Sequence, residues 1–278
     1  MKTAEPLLKV EQLKKYFVSR KQFLGSSAKV VKAVDGISFE ISKGGTLGVV
    51  GGSGCGKSTL GRAILRLHEP DSGSVIYDGE DLLSLDKKTM RDYRQKLQII
   101  FQDPYASLNP RMTVKELICA SLDVFEIGTK QERVDRVLDI MEKVGLPLEY
   151  LNRYPHEFSG GQRQRIMIAR ALVLNPDFVV CDEPVSALDV SVRAQVLNLM
   201  RDLQQECSLT YMFISHDLSV VRYLCDRVMV MYLGKVMEIA TKDELYSNAK
   251  HPYTQALLSS TPSPDVDASK ERIHLYGD

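Results

Sequence analysis

Apolar and polar positions along the chain sort into short strands and amphipathic helices. Gly48-Val49-Val50 reads as the end of a buried strand. Just beyond the glycine-rich stretch that follows it, Leu60, Ala63, Ile64 and Leu67 recur at i, i+3, i+4 and i+7, the stripe of an amphipathic helix. Upstream, Leu7 to Leu13 reads as a short strand, and Val30 to Ile41 alternates through Val34, Ile37, Phe39 and Ile41. A polar stretch through Ser26-Ser27 separates the two as a loop. Ser74 to Tyr77 predicts a strand closed by a tight turn at Asp78-Gly79, and Leu97 to Phe101 another strand. From Tyr105 to about Tyr154 the pattern turns helical, with Val134, Val137, Leu138, Met141 and Val144 forming one apolar face among charges. Arg163 to Leu174 is strongly helix-like, Phe178 to Asp182 is a buried strand, and Val192, Val196, Leu199 and Leu203 mark a further helix. Thr210 to Ile214 is a strand, Arg227 to Tyr232 and Lys235 to Ile239 form a hairpin around Gly234, and a short helix lies near Glu244. The tail after His251-Pro252-Tyr253-Thr254 is rich in Pro, Ser and Asp and reads as loose.

Composition narrows the class. The 278 residues suffice for one or two domains, and 44% hydrophobic content is ordinary for a globular protein. Acidic and basic residues balance at 36 each, so no global field favours nucleic acid or an anionic membrane. No run approaches the roughly 18 apolar residues of a membrane span, and Met1 to Pro6 contains no apolar core of a secretory signal. Cys55, Cys119, Cys181, Cys207 and Cys225 are odd in number and never spaced Cys-x-x-Cys, which argues for reduced thiols over a disulfide framework or zinc site.

The chemistry concentrates in a few stretches. Gly51 to Thr59 (Gly51, Gly52, Ser53, Gly54, Cys55, Gly56, Lys57, Ser58, Thr59) fits Gly-x-x-x-x-Gly-Lys-Ser/Thr. A triphosphate carries several negative charges, and backbone N–H groups converge on it only where glycines let the chain wrap tightly. The helix that follows presents its N-terminus to the same anion. Lys57 is placed to reach the β/γ-phosphates and the Ser58 hydroxyl to ligate Mg²⁺. Ser159-Gly160-Gly161-Gln162 opens a second helix, read either as an ordinary capped helix or as a second anion-ready start. Asp182 and Glu183 end a buried strand, where α/β sheets bind ligands; Asp182 suits Mg²⁺ and Glu183 suits polarising an attacking water. His216 also sits just past a strand end. The aromatics of Lys14-Lys15-Tyr16-Phe17 are either a stacking platform for a base or half-buried strand-end rings.

Taken together these motifs resemble, in order and across nearly the whole chain, the nucleotide-binding subunit of an ABC transporter. Gln102 matches that family's Q-loop glutamine, Ser159 to Gln162 its signature with Phe158 where Leu is commoner, and Asp182-Glu183 its Walker B pair. Ser186, Ala187, Leu188 and Asp189 match the D-loop, His216 the switch histidine, and Tyr16 and Phe17 the adenine-stacking segment, Phe17 being the better aligned ring. Gly52 stands where close relatives commonly carry an acid. The resemblance implies an α/β fold: a P-loop NTPase (RecA-like) core with an N-terminal antiparallel β subdomain and an inserted α-helical subdomain at about 103–164. The nucleotide-binding domain then spans 1–240, with a C-terminal extension at 241–278. It implies ATP and Mg²⁺ as cofactors, with Ser58, Gln102 and Asp182 at the metal and Glu183, His216, Lys57 and Gln102 in hydrolysis. Two such subunits are expected to pack head to tail, each phosphate loop facing the partner's signature.

Phe101 to Pro110, Tyr154-Pro155-His156-Glu157-Phe158 and His251 to Thr254 resemble the oligopeptide/dipeptide import branch, and the phosphate-loop flank Gly54 to Arg62 its F-type member. The implied partners are a second ATPase subunit of D type, two transmembrane permease subunits and, through them, an extracytoplasmic substrate-binding protein, with no nucleic acid. The implied place is the cytoplasmic face of a bacterial cell membrane. The end at Asp278 precedes the cysteine-containing extension of many branch members, so an iron–sulfur site of that kind is not expected. Nickel and metal-chelate importers share much of the pattern, so either cargo stays open at this point. A non-transporting ABC ATPase lacks support, since neither a long coiled coil nor a second ATPase unit is present. The signature with Gln102 and His216 disfavours a P-loop kinase or GTPase.

Overall fold

In the computed structural model, which describes residues 6–18 and 30–260, the chain begins with β1 (Pro6–Val18) and β2 (Val30–Ser42), paired antiparallel. The polar stretch through Ser26-Ser27 and the tail from residue 261 onward lie outside the described residues, whereas residues 255–259, expected to be loose, are helical. Apolar residues face each other across the pair, Leu8 against Ile41, Val10 against Phe39 and Leu13 against Ile37, and all six are buried. β1 runs on past Leu13 to Val18, longer than the alternation predicts. Gln12 has a φ of 47°, and the register shifts between Val10 and Leu13. Such a bulge resets which face each residue occupies, so the apolar rhythm stops while the ladder continues through Tyr16, Phe17 and Val18.

β3 (Thr46–Gly51) is buried at every position and leads through the glycine-rich loop into α1 (Lys57–Ile64). β4 (Ser72–Tyr77) and β5 (Glu80–Asp81) follow, joined by Asp78 and Gly79 at φ of 49° and 84°, the two positive values of a type I′ hairpin turn. Strands β2-β1-β4-β5 form one sheet.

Residues up to Leu83 belong with those from Phe213 onward in one compact unit; Ser84–Met212 form a second. The second unit starts with α2 (Lys87–Tyr93), β6 (Leu97–Ile100), α3 (Pro104–Ser107), α4 (Val114–Val124) and α5 (Lys130–Lys143). It continues with α6 (Gly160–Leu172), β7 (Phe178–Asp182) and α7 (Val190–Cys207), and β6 and β7 run parallel in its sheet. Strand β8 (Thr210–Ile214) begins in this unit and ends in the first. Of the predicted stripe, Val137, Met141 and Val144 are buried, joined by Ile140, while Val134 and Leu138 are half-buried. Helices α4, α5 and α6 each begin with Ser or Thr followed three residues on by Glu or Gln. Thr113/Glu116, Thr129/Glu132 and Ser159/Gln162 all close reciprocal capping boxes.

The first unit closes with α8 (Leu218–Leu224), β9 (Arg227–Tyr232), β10 (Lys235–Thr241), α9 (Lys242–Asn248) and α10 (Pro252–Ser259). Its second sheet runs β10-β9-β3-β8, β3 and β9 being parallel and β9 and β10 an antiparallel hairpin. Helices α2, α8 and α10, of seven or eight residues each, escape a reading based on periodicity because two turns hold too few apolar repeats. No helix among the described residues is long and apolar enough to cross a membrane.

Candidate active site

In the first unit, the loop between β3 and α1 is shaped by its glycines. Gly56, the N-cap of α1, has φ 106° and offers no side-chain cap of its own at the helix start. A Cβ on Gly56 would lie 1.9 Å from the Ala33 carbonyl oxygen, and one on Gly51 2.1 Å from that of Met231. Only glycine permits this wrapping. Lys57 is 6% exposed, and its Nζ donates to the carbonyls of Gly51 and Gly52, each at 2.9 Å. No carboxylate pairs with it among the described residues. A buried ammonium resting on neutral carbonyls, inside a loop that aims N–H donors, fits a polyphosphate ligand. Ser58 occupies the first turn of α1, half-buried.

The two candidate aromatics differ. The Tyr16 hydroxyl donates to Asp35 Oδ1 at 2.5 Å, and its backbone N–H to Asp71 Oδ2 at 2.5 Å. That hydroxyl, the largest influence on it, holds the Asp35 carboxyl below its ordinary pKa. Phe17 is 40% exposed, edge-on to His68 at 5.7 Å with Lys15 Nζ 5.6 Å from its centroid. The phenol is committed to structure; the phenyl ring is the one in solvent. His216 is exposed on a short segment anchored on both sides: Ser215 N–H donates to Val49 O at 3.1 Å, and Asp217 caps α8 by accepting from Ser219 N–H at 2.9 Å.

In the second unit, Gln102 follows β6 and Glu183 follows β7, and Gln102 Nε2 donates to Glu183 Oε2 at 3.1 Å. Glu183 has φ 48°, a left-handed conformation that costs a non-glycine residue roughly 1–2 kcal/mol. Ser186 braces it, donating to the Glu183 carbonyl from its N–H at 3.3 Å and its hydroxyl at 3.0 Å. Asp182, the last residue of β7, is 1% exposed.

The signature-like residues pack against the segment after β7. A Cβ on Gly160 would sit 3.5 Å from Leu188 and one on Gly161 2.3 Å from Val192 Cγ1. Ser159 and Gln162 cap each other: Gln162 N–H donates to Ser159 Oγ at 3.4 Å, and Ser159 N–H to Gln162 Oε1 at 3.0 Å. Asp189 is the N-cap of α7, its pKa lowered first by the Val192 N–H it accepts at 3.0 Å. Ala187 is exposed beside it.

These features coincide with a match of the family described as ABC transporter over residues 34–186, and with 55% identity to a relative over 271 residues. The chain belongs to the ABC transporter family. That relative is the oligopeptide transport ATP-binding protein OppF of Bacillus subtilis, aligned over 97% of this chain and 87% of that protein. The dipeptide transport ATP-binding protein DppF of Escherichia coli is 54% identical over 99% of this chain and 82% of its own length. A second family pattern, the oligopeptide/dipeptide transporter C-terminal region, matches residues 237–276. Among solved structures, the ATP-binding cassette MJ0796, a dimer in a post-hydrolysis state with ADP and Pi, superposes with a TM-score of 0.74 at 28% identity. The superposition covers 84% of this chain and 98% of that one. This confirms the P-loop NTPase fold expected from the motifs.

The departure from the ABC family's usual signature is absorbed locally: Phe158 is buried with its ring edge-on to Tyr150 at 5.4 Å. Two residues of interest escaped the sequence reading. Arg163 is buried, donates from Nε to Pro155 O at 2.7 Å and lies 4.0 Å from the ring centroid of Tyr105, itself 70% exposed. It ties the segment ahead of the signature to the one after Gln102, and nothing in its local pattern marks it. Tyr253 reaches the phosphate loop from the far end of the chain; the His-Pro-Tyr-Thr motif was visible, its destination was not.

Proposed function

We propose that this chain is the ATP-hydrolysing subunit of an ABC importer that carries oligopeptides or dipeptides across the cytoplasmic membrane. The observation that carries the hydrolysis reading is the Gln102–Glu183 pair: a carboxylate at the end of a buried strand, in a strained backbone, oriented by a side-chain amide. In this reading Gly51 to Thr59 cradle the triphosphate, with Lys57 on the β/γ-phosphates and Phe17, ahead of Tyr16, stacked on the base. Glu183 orients the attacking water, and Gln102 and His216 assist at the transferring phosphoryl group. Ser58, Gln102 and Asp182 are assigned to Mg²⁺, which when bound offsets charge on the phosphates. Residues 159–162 serve the nucleotide of a second ATPase subunit, with 186–189 beside them. Residues 1–240 form the nucleotide-binding domain and 241–278 the C-terminal extension.

The peptide cargo is supported by the names of OppF and DppF and by the C-terminal region match, which favour it over nickel or a metal chelate. The partners are two permease subunits and a second ATPase subunit of D type, so the chain works as a peripheral protein at the cytoplasmic face of the membrane. Reconstitution of the complete importer in vesicles tests this. ATP-dependent accumulation of labelled di- and oligopeptides is the expected result. Uptake of a nickel chelate without peptide overturns the cargo, and ATP hydrolysis uncoupled from any permease overturns the importer.

A further inference from the structure

Gly52 lies in the phosphate loop and Tyr253 in α10, 201 positions later, yet the Gly52 N–H donates to the Tyr253 phenolic oxygen at 3.1 Å. Gly52 is thereby held at both of its backbone groups, because its carbonyl accepts Lys57 Nζ at 2.9 Å and Cys55 N–H at 3.4 Å. The contact is built, not incidental. The His-Pro start of the motif fixes the helix that carries the phenol. His251 caps α10, its Nδ1 accepting the Tyr253 N–H at 3.1 Å; Pro252 takes the first helical position; Thr254 is fully buried. The carboxylate of Glu238 on β10 accepts the N–H groups of Lys250 and His251 at 2.9 and 3.0 Å and so fixes where the helix starts. The Tyr253 ring packs on Tyr232 at 4.5 Å, and burial raises its pKa, so the hydroxyl stays protonated and neutral. Two residues beyond Tyr232, Gly234 N–H donates to Cys55 O at 2.9 Å. The loop is thus braced from outside at both ends, by a hairpin and by the C-terminal helix.

We propose that Tyr253 is a positioning residue of the phosphate loop: it preorganises Gly51 to Lys57 for the nucleotide's phosphates and makes ATP affinity depend on the C-terminal element. The inference rests on the nucleotide-binding reading above and gives the C-terminal region a role toward the same ligand. A loop already held in place loses less freedom when phosphate binds, so its brace acts on affinity and not on the chemical step. Because the contact is to the loop and not the base, ATP, ADP and GTP should feel it equally.

The test uses the full chain and its Tyr253→Phe variant, which keeps the ring on Tyr232 and removes only the acceptor. Hydrogen exchange by mass spectrometry reads the loop, titration with Mg-ATP, Mg-ADP and Mg-GTP reads affinity, and steady-state turnover in the assembled importer separates KM from kcat. The expected result is faster exchange confined to the phosphate-loop peptide. With it come a loss of affinity of about two- to tenfold, the range of one net hydrogen bond, equal for the three nucleotides, and an unchanged kcat. Unchanged exchange and affinity overturn the proposal, as does exchange that rises across the whole chain, which marks a merely structural loss. If the unaltered chain binds none of the nucleotides, the reading beneath the proposal fails, and that outcome is distinct from a variant that binds as well as its parent.

Discussion

Gln102 Nε2 donates to Glu183 Oε2 at 3.1 Å, joining the second residue past β6 to the residue after β7 across 81 positions of sequence. A carboxylate that accepts from a side-chain amide gains a fixed direction. The Gln102→Ala variant therefore leaves Glu183 less directed. Turnover in the assembled importer should fall by about two- to tenfold, the worth of one net hydrogen bond, with nucleotide affinity changed far less. Equal turnover in variant and parent would show the pair to be structural.

Gly161 is a packing glycine. The Cγ1 of Val192 stands 2.3 Å from where its Cβ would be, and a β-branched side chain in a helix has little freedom to turn away. Gly161→Ala should lower the stability of the chain by about 1–3 kcal/mol, the usual range for overpacking, and Val192→Ala in the same chain should restore most of it. Denaturant unfolding of the two single variants and the double variant measures this. Additive losses would mean the two sites do not touch.

Much of this site was legible as local pattern. The phosphate loop, the Ser159 cap and the acidic end of β7 each lie within a few residues, where spacing alone dictates geometry. The Thr-x-x-Glu starts of α4 and α5 are equally local, although only Ser159 is read as a cap from the sequence. The brace on Gly52 was not, because no periodicity links residues 201 positions apart. Arg163 was missed for a similar reason: a cation near a helix start reads as exposed until Pro155 and Tyr105 are seen to cover it. The extension of β1 was hidden by the bulge at Gln12, which shifts the register that alternation depends on.

Phe17 and Tyr16 should separate cleanly. Phe17 keeps its ring in solvent, whereas the Tyr16 phenol is bonded to Asp35. Phe17→Ala should weaken ATP and GTP alike by about 1–3 kcal/mol, the range of stacking a base on an aromatic side chain. Tyr16→Phe, which removes only the hydroxyl, should leave affinity unchanged. Fluorescence titration with Tyr16→Ala beside them decides between the rings, and unchanged affinity in Phe17→Ala with a loss in Tyr16→Ala would reverse the assignment.

In the proposed mechanism Glu183, set on a left-handed backbone just past β7, orients the water that cleaves ATP. The most direct measurement of this role is paired nucleotide affinity and steady-state ATP hydrolysis of Glu183→Gln in the reconstituted importer. The amide keeps the shape and the phosphate contacts but no longer draws on a proton of the water. Affinity for ATP should match the parent, and turnover should fall by about 10²- to 10⁴-fold, the usual contribution of a positioned general base. Turnover close to that of the unaltered chain would contradict this role.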